Sequence, residues 1–415
     1  MKKKVYFKTF GCRTNLYDSQ VMMSSLKDYE ITEVESEADK IVINSCTVTN
    51  GADSHVRSYI SQIEKSSKAQ IFLTGCGAHT KGEKLLQEKR LHGVFGQSEK
   101  QKIDFMLSQK EPFYDKGDLN FVDDMVVDDF VGKSRAFIKI QEGCNFRCSY
   151  CIIPFVRGDA RSMDEGRILE QISRVALNGF GEFVLTGTNV GSYGVDTKTS
   201  LASLMKKISQ IRGVRRIRVG SIEPIQVTDE FKEILTEPWL EKHLHIALQH
   251  TSPQMLKLMN RRNVFKQDRE LFELLSEKGF AIGTDFITGH PGESEELWNE
   301  AMQNARELPI THIHAFTYSK RDGTPSATLK PEVNGKVAKE RLHELENLIK
   351  EKNFDFRDAY KGDLEVLIES YKDGYYHGLD QHFNKIRVES QEDLVGNWIT
   401  VQKYDVEKEY NIAKF

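Results

Sequence analysis

Three of the six cysteines in this chain of 415 residues crowd into the run GCNFRCSYC as Cys144, Cys148 and Cys151. Thiolates separated by three and then two residues on one loop can fold around a single metal centre. Three cysteine ligands on a four-iron, four-sulfur cluster leave one iron free for a substrate or cofactor, whereas a closed electron-transfer cluster uses four. Zinc is the competing reading, because its tetrahedral sites also use closely spaced cysteines and close the shell with a fourth Cys or His. After Cys151 the nearest polar residues are Arg157, Asp159 and Arg161, with no His or Cys close behind.

The other three cysteines are Cys12, Cys46 and Cys76, each preceded by a small residue: Gly11, Ser45 and Gly75. Singly, each is an ordinary core cysteine, since Cys is among the most buried residue types. Together they account for every remaining thiol, and each ends an apolar run. Ligand sites of open parallel sheets lie outside the carboxyl ends of the strands. If the three strands are neighbours, the thiols meet at one point and hold a second metal centre.

The elements that position these residues follow from alternation. VYFKTF, KIVINS and QIFLTG are strands separated by helical stretches such as HVRSYISQIEK, a parallel α/β pattern assigned to residues 1–110. Residues 111–133, acidic and aperiodic, read as a linker. Over 134–349 six βα units recur, with strands AFIKIQ, EFVLTG, RIRVGS, HLHIAL, AIGTDFITG and THIHAFTY. They predict a partial TIM-like (β/α)6 barrel with Cys144, Cys148 and Cys151 on the loop leaving its first strand. Residues 350–415 turn to short β-rich pieces and predict a small all-β barrel.

Composition narrows the classes. At 39% hydrophobic and 29% charged residues the chain can bury two or three ordinary cores. The start, MKKKVYFKTFGC, runs straight into a strand without a signal-type apolar region, and no window is apolar enough for a membrane span. The expected location is therefore the cytoplasm, where clustered thiols bind metal or do redox work rather than form a disulfide scaffold. A net charge of −4 and pI near 6.3 exclude a nonspecific basic coat on nucleic acid, so any RNA contact must be local.

The runs TFGCRTN, NSCTVTN, TGCGA, EGCNFRCSYCIIPFVRG, LTGTNVGSYG, SIEP, DFITGHPGE and YSKRDGTP, with the β-rich C-terminus, resemble the radical S-adenosylmethionine (radical-SAM) methylthiotransferases over almost the whole chain. The resemblance implies an N-terminal methylthiotransferase domain, a radical-SAM barrel and a TRAM-like RNA-binding domain. It also implies two 4Fe–4S clusters, one on Cys144, Cys148 and Cys151 and one on Cys12, Cys46 and Cys76. In the family the barrel cluster binds S-adenosylmethionine and cleaves its sulfonium to a carbon radical, and the second cluster handles the sulfur. Candidate cofactor contacts are Gly187, Thr188 and Asn189 after the second barrel strand, and Ser221 and Glu223 after the third; ordinary βα turn chemistry is their other reading. Implied partners are tRNA, at its anticodon stem-loop, and an electron donor such as flavodoxin or ferredoxin.

GCRTN, NSCTVTN with the following Ala52 and Asp53, and YSKRDGTP bring the chain nearest the branch that methylthiolates carbon 2 of N6-threonylcarbamoyladenosine in tRNA. Isopentenyladenosine in tRNA, an aspartate of a ribosomal protein, and a zinc-dependent RNA-binding protein without activity are the alternatives. Arg212, Arg215, Arg216 and Arg218, and Arg261 with Arg262, are candidate RNA contacts or solvated faces. Tyr375, Tyr376, Phe383 and Trp398 either stack on bases or fill the small barrel's core. His243 with His245, and His312 with His314, share a strand face; they are expected in a polar core or substrate pocket, because a metal would need a carboxylate in the same layer, for which Asp285 is the candidate. Two positions depart from the family pattern. Thr251 adds bulk where backbone is expected beside the cofactor, and His290 stands where an aromatic is usual.

Overall fold

The structure, a computed structural model, describes residues 2–123, 125 and 134–415. Its first sheet has six parallel strands: β1 (Lys4–Thr9), β2 (Glu30–Ile31), β3 (Lys40–Ser45), β4 (Gln70–Gly75), β5 (Gly93–Phe95) and β6 (Phe113–Asp115), in the order β2-β1-β3-β4-β5-β6. All six residues of β3 are buried, as a central strand covered on both faces requires. The three cysteine-bearing strands are adjacent. Thr9 pairs with Asn44 and Asn44 with Thr74, so β1, β3 and β4 end at one level. The linker expectation is corrected at its start, because β6 pairs with β5 and extends the sheet to Asp115. Residues 124 and 126–133 of that stretch lie outside the described residues.

The second unit holds β7 (Ala136–Glu142), β8 (Arg161–Ser162), β9 (Glu182–Gly187), β10 (Arg216–Val219), β11 (His243–His245), β12 (Ala281–Thr288) and β13 (His312–Thr317). Pairings β7–β9, β9–β10, β11–β12 and β12–β13 are parallel, and the bridges Ile217↔Leu240 and Ile222↔Ile246 join β10 to the β11 region. Six parallel strands thus curve in sequence order, with β8 an antiparallel appendage on β7. Between them run amphipathic helices that start on side-chain caps: Asp164 for Glu165–Leu177, Ser200 for Leu201–Ile208 and Ser294 for Glu295–Glu307. Ile138, Ile140, Leu185, Ile217 and Phe286 pack in one core with Ile168, Ile172 and Leu204 of the helices. Tyr17 and Val21, from the first sheet's helix Arg13–Ser25, belong to the same core and dock the two units.

The helix Gly335–Ala359 runs unbroken past residue 349, where a boundary was expected, and packs on β12 and β13. Beyond it a curled sheet has the order β17 (Trp398–Val401), β14 (Leu364–Lys372), β15 (Tyr375–Leu379), β16 (Lys385–Glu389), β19 (Asn411–Lys414), β18 (Asp405–Val406), antiparallel except at β16–β19. Val366, Ile368, Val388 and Ile399 form its core. Arg357 at the helix end donates to Asn411 Oδ1 at 3.0 Å and to the Glu407 carbonyl at 2.8 Å. At the start of the barrel strands Phe383, with a left-handed φ of 67°, stacks on His243 at 4.9 Å under the Arg218 guanidinium. Among the described residues no helix is long and apolar enough to cross a membrane.

Candidate active site

Cys144, Cys148 and Cys151 lie on the loop between β7 and the helix Ile153–Arg157, all partly buried. The loop is pinned on both sides: Ser149 N donates to the Met259 carbonyl at 2.9 Å, and Asn260 Nδ2 donates to the Arg147 carbonyl. Burial pushes the Cys151 thiol up to about 12, with neighbouring Cys148 and Cys144 adding to the effect. Such thiols ionise readily only beside a cationic centre, which an iron core would supply.

Of the expected cofactor residues, Asn189 touches this loop directly and Glu223 reaches it through Arg261. Asn189 Nδ2 lies 3.4 Å from Cys144 Sγ and its backbone N donates to Gln141 Oε1 at 2.8 Å, while its buried Oδ1 has no partner among the described residues. An orphaned buried acceptor beside the thiols fits a polar cofactor group there. A Cβ on Gly187 would lie 2.7 Å from the Gln141 carbonyl, so that residue lets β7 and β9 approach, and half-buried Thr188 lies between it and Asn189. Ser221 is exposed, with Oγ 3.4 Å from Asp285 Oδ2. Glu223 is engaged by both terminal nitrogens of Arg261, one at 2.9 Å.

Arg261 is the residue that sequence reasoning misplaced. Its side chain is 2% exposed, bonds Glu223 and the Ala247 carbonyl, and reaches 3.5 Å from Cys148 Sγ. It is therefore no RNA-facing residue. Arg216 and Arg218 are corrected likewise: both are buried on β10 and pair with Glu182, and Arg218 also with Glu241. Arg215 and Arg216 cover the Trp398 ring at 4.6 Å each, which turns that aromatic toward the barrel. Only Arg212, Arg215 and Arg262 of the six stay exposed, with Arg262 lying over Phe146. Phe383 is spent on His243, and Tyr376 packs on the terminal core, while Tyr375 is half-buried near Arg387. Thr251 is also redirected: fully buried, it bonds the Ala301 carbonyl at 2.7 Å and adds no bulk at the cysteine loop. His290 bonds Ser326 Oγ at 2.7 Å, and Ser326 bonds Ser149 Oγ at 2.8 Å, which props the cysteine loop from behind.

Cys12, Cys46 and Cys76 occupy the level strand ends of β1, β3 and β4. Burial pushes Cys46 up to about 11, with Cys76 and Cys12 adding to it. Asn15 ties two of the loops together, its Nδ2 donating to the Phe10 carbonyl at 2.8 Å and the Ser45 carbonyl at 3.0 Å. Gly75 has φ 85°, and a Cβ there would fall 2.4 Å from the Ser45 carbonyl, so the turn that delivers Cys76 requires glycine. The three thiols lie at neighbouring strand ends, near enough that Cys12 and Cys76 both raise Cys46.

One short helix links the two trios. Ile152, Ile153 and Val156 pack on Cys76, and the Arg157 guanidinium, 2% exposed, places Nε 3.2 Å from Cys76 Sγ. It also bonds Asp18 at 2.8 Å, Glu142 and Asn15. Lys139 bridges Asp18 at 2.9 Å and Glu142 at 2.6 Å, and Lys100 pairs with Asp18 and Asp123. Three cations and three carboxylates, all nearly inaccessible, join the first sheet to the barrel. A second clasp pairs Arg321 of YSKRDGTP with Asp53 at 2.6 Å and with Asn50 at 2.9 Å. Lone charges in a sequence carry no sign of such pairing.

Comparison with known proteins matches residues 4–96 to the uncharacterized protein family UPF0004 and residues 138–305 to the radical SAM superfamily. A putative methylthiotransferase of Helicobacter pylori is 52% identical over the whole of both chains. A threonylcarbamoyladenosine tRNA methylthiotransferase of Bacillus subtilis is 32% identical, covering 99% of this chain and 96% of its own. A ribosomal-protein methylthiotransferase of a Thermoanaerobacter species is 33% identical, covering 91% and 89%. In fold the chain is similar to a radical S-adenosylmethionine methyltransferase of Kitasatospora setae, with TM-score 0.61 at 16% identity over 79% of this chain and 77% of that one. A cysteine-loop barrel behind a parallel strand-end sheet defines a radical-SAM enzyme with an added N-terminal domain. The chain belongs to the radical-SAM methylthiotransferase family, close to its threonylcarbamoyladenosine branch. Membership implies a 4Fe–4S cluster and S-adenosylmethionine, and the thiols and the orphaned Asn189 oxygen fit them.

Proposed function

We propose that this enzyme adds a methylthio group to carbon 2 of N6-threonylcarbamoyladenosine beside the anticodon of tRNA, with one cluster on each cysteine trio. The supporting observation is the pair of trios held by one helix, with Arg157 reaching from the barrel to Cys76. When bound, the barrel cluster would supply the electron that cleaves S-adenosylmethionine. Cys144, Cys148 and Cys151 would hold that cluster, and Cys12, Cys46 and Cys76 the sulfur-handling one.

The chain's own residues set the conditions. Arg261, held by Glu223, keeps a positive charge beside Cys148, which favours an electron-rich centre there. Asn189, Gly187, Thr188, Ser221 and Glu223 line the exit of β9 and β10, where the amino acid part of S-adenosylmethionine would be oriented. Fixed dipoles and buried walls keep water from a reactive radical. For the substrate, the near full-length similarity to threonylcarbamoyladenosine enzymes supports the choice, with tRNA as macromolecular partner and flavodoxin or ferredoxin as electron donor.

Two measurements test the proposal. Anaerobically purified protein should carry about eight irons with equal sulfide; about four would remove the second cluster, and zinc without sulfide would remove both. Mass spectrometry of tRNA nucleosides from a deletion strain should show the 2-methylthio derivative of threonylcarbamoyladenosine replaced by its precursor. Persistence of that derivative, with no second enzyme supplying it, would overturn the substrate assignment.

A further inference from the structure

Beyond the cysteine trios, the inner face of β11, β12 and β13 carries a layer of ligand-type side chains. His243 and His245 alternate on β11, and His312 and His314 on β13. Between them β12 presents Gly283 and Asp285, in register with His312 and His314. A Cβ on Gly283 would fall 2.8 Å from both His243 Nε2 and His245 Nδ1, so this glycine is the space that lets the imidazoles lie flat on the strand. The carboxylate that strand period alone left as a condition is therefore in the layer.

His245, Asp285 and His314 offer ligand atoms all within 4.8 Å of one another. The imidazoles of His245 and His314 stack at 4.8 Å, and Asp285 Oδ1 lies 3.0 Å from His245 Nε2 and 3.6 Å from His314 Nδ1. His245 is 9% exposed, and its Nε2 faces Asp285 Oδ1 with no partner among the described residues besides that carboxylate. A buried ring nitrogen whose one neighbour is a carboxylate can share that carboxylate with a cation seated between them. The outer oxygen, Asp285 Oδ2, accepts from Ser221 Oγ and Gln249 Nε2, each at 3.4 Å, which orients the carboxylate as outer-shell partners orient metal ligands.

We propose that His245, Asp285 and His314 bind one divalent first-row transition ion, of which zinc is the probe, with a fourth position open toward the barrel mouth. Two imidazoles and one carboxylate suit such ions, and three protein ligands leave the open position of a reactive or substrate-holding site. A tetrahedral zinc with ligands near 2.0–2.1 Å separates its donors by about 3.3 Å. Rotation of the His314 side chain, 61% exposed, closes the difference. The site stands apart from both trios in its ligands, and Ser221 places it next to the expected S-adenosylmethionine pocket.

The test uses anaerobic enzyme with its clusters assembled, stripped of loose metal by a chelator and dialysed against zinc chloride. Elemental analysis should find one zinc per chain beyond the cluster iron. Zinc-edge X-ray absorption should show a nitrogen and oxygen shell near 2.0 Å with imidazole scattering and no sulfur near 2.3 Å. Asp285→Asn and His314→Ala should each weaken zinc binding at least tenfold while iron and sulfide counts stay unchanged. If Asp285→Asn loses iron, the exposed His314→Ala decides. No zinc in the wild type, equal zinc in His314→Ala, or a sulfur shell from the cysteines would overturn the site.

Discussion

Replacing Arg157 by methionine removes a cation from a buried network that is neutral when whole: Asp18, Asp123 and Glu142 against Lys100, Lys139 and Arg157. Methionine retains much of the stem's volume but cannot donate to Asp18, Glu142, Asn15 or Cys76. Breaking a buried pair by removing one partner costs about 3–5 kcal/mol, most of it from the charge left behind. Asp18 keeps Lys100 and Lys139, and Glu142 keeps Lys139, so the expected cost is at the low end, about 3 kcal/mol. That corresponds to roughly a hundredfold in an equilibrium. The helix Arg13–Ser25 docks through this network, so its amides should exchange with deuterium about a hundredfold faster in Arg157→Met. Distant helices such as Leu201–Ile208 should be unchanged. Adding Asp18→Asn restores neutrality, and the double variant should be less perturbed than the sum of the two single ones. Strict additivity, or an exchange change below about threefold, would refute the view that charge balance docks the two units.

Three further outcomes follow from the same structure. Gly75→Ala should leave the barrel cluster intact and halve the iron count, because the new methyl meets the Ser45 carbonyl; an unchanged count would remove the strain argument. Arg261→Met should shift the barrel cluster to a more negative potential by about 60 mV, the equivalent of one lost charge-assisted hydrogen bond, read by redox titration of its electron paramagnetic resonance signal; a shift in the opposite direction would contradict the role given to its charge. Burial lowers His290 and His382 to about 4. Since the unfolded chain binds those protons more tightly, each contributes about 3 kcal/mol that is whole above pH 6.5 and lost as pH falls toward 4. The unfolding midpoint should drop between pH 7 and pH 5, and His382→Asn should flatten the slope; parallel slopes would exclude the histidine.

Buried parallel strands were legible because they read as short apolar runs, and β3, β4 and β9 fall on KIVINS, QIFLTG and EFVLTG residue for residue. The three-residue β5 and β6 were not, since their pairing rather than their composition makes them strands. The cysteines were legible because chemistry constrains both type and place. Their helpers were not. Arg157, Arg261 and Asp18 look like any charged residue in a chain that is 29% charged, and only the fold tells a buried guanidinium from a solvated one. His245, Asp285 and His314 lie between these cases: strand period predicted a shared face, while the convergence depends on β12 lying between β11 and β13.

Phe383 reaches from the C-terminal sheet to the start of the barrel strands, where it stacks on His243, while the neighbouring Asp380 and Gln381 carbonyls accept from Arg218 and from the Lys242 backbone. The terminal sheet is thus a stopper as well as an appendage. A chain cut before β14 would lose that cover and bare His243 and Arg218 to water.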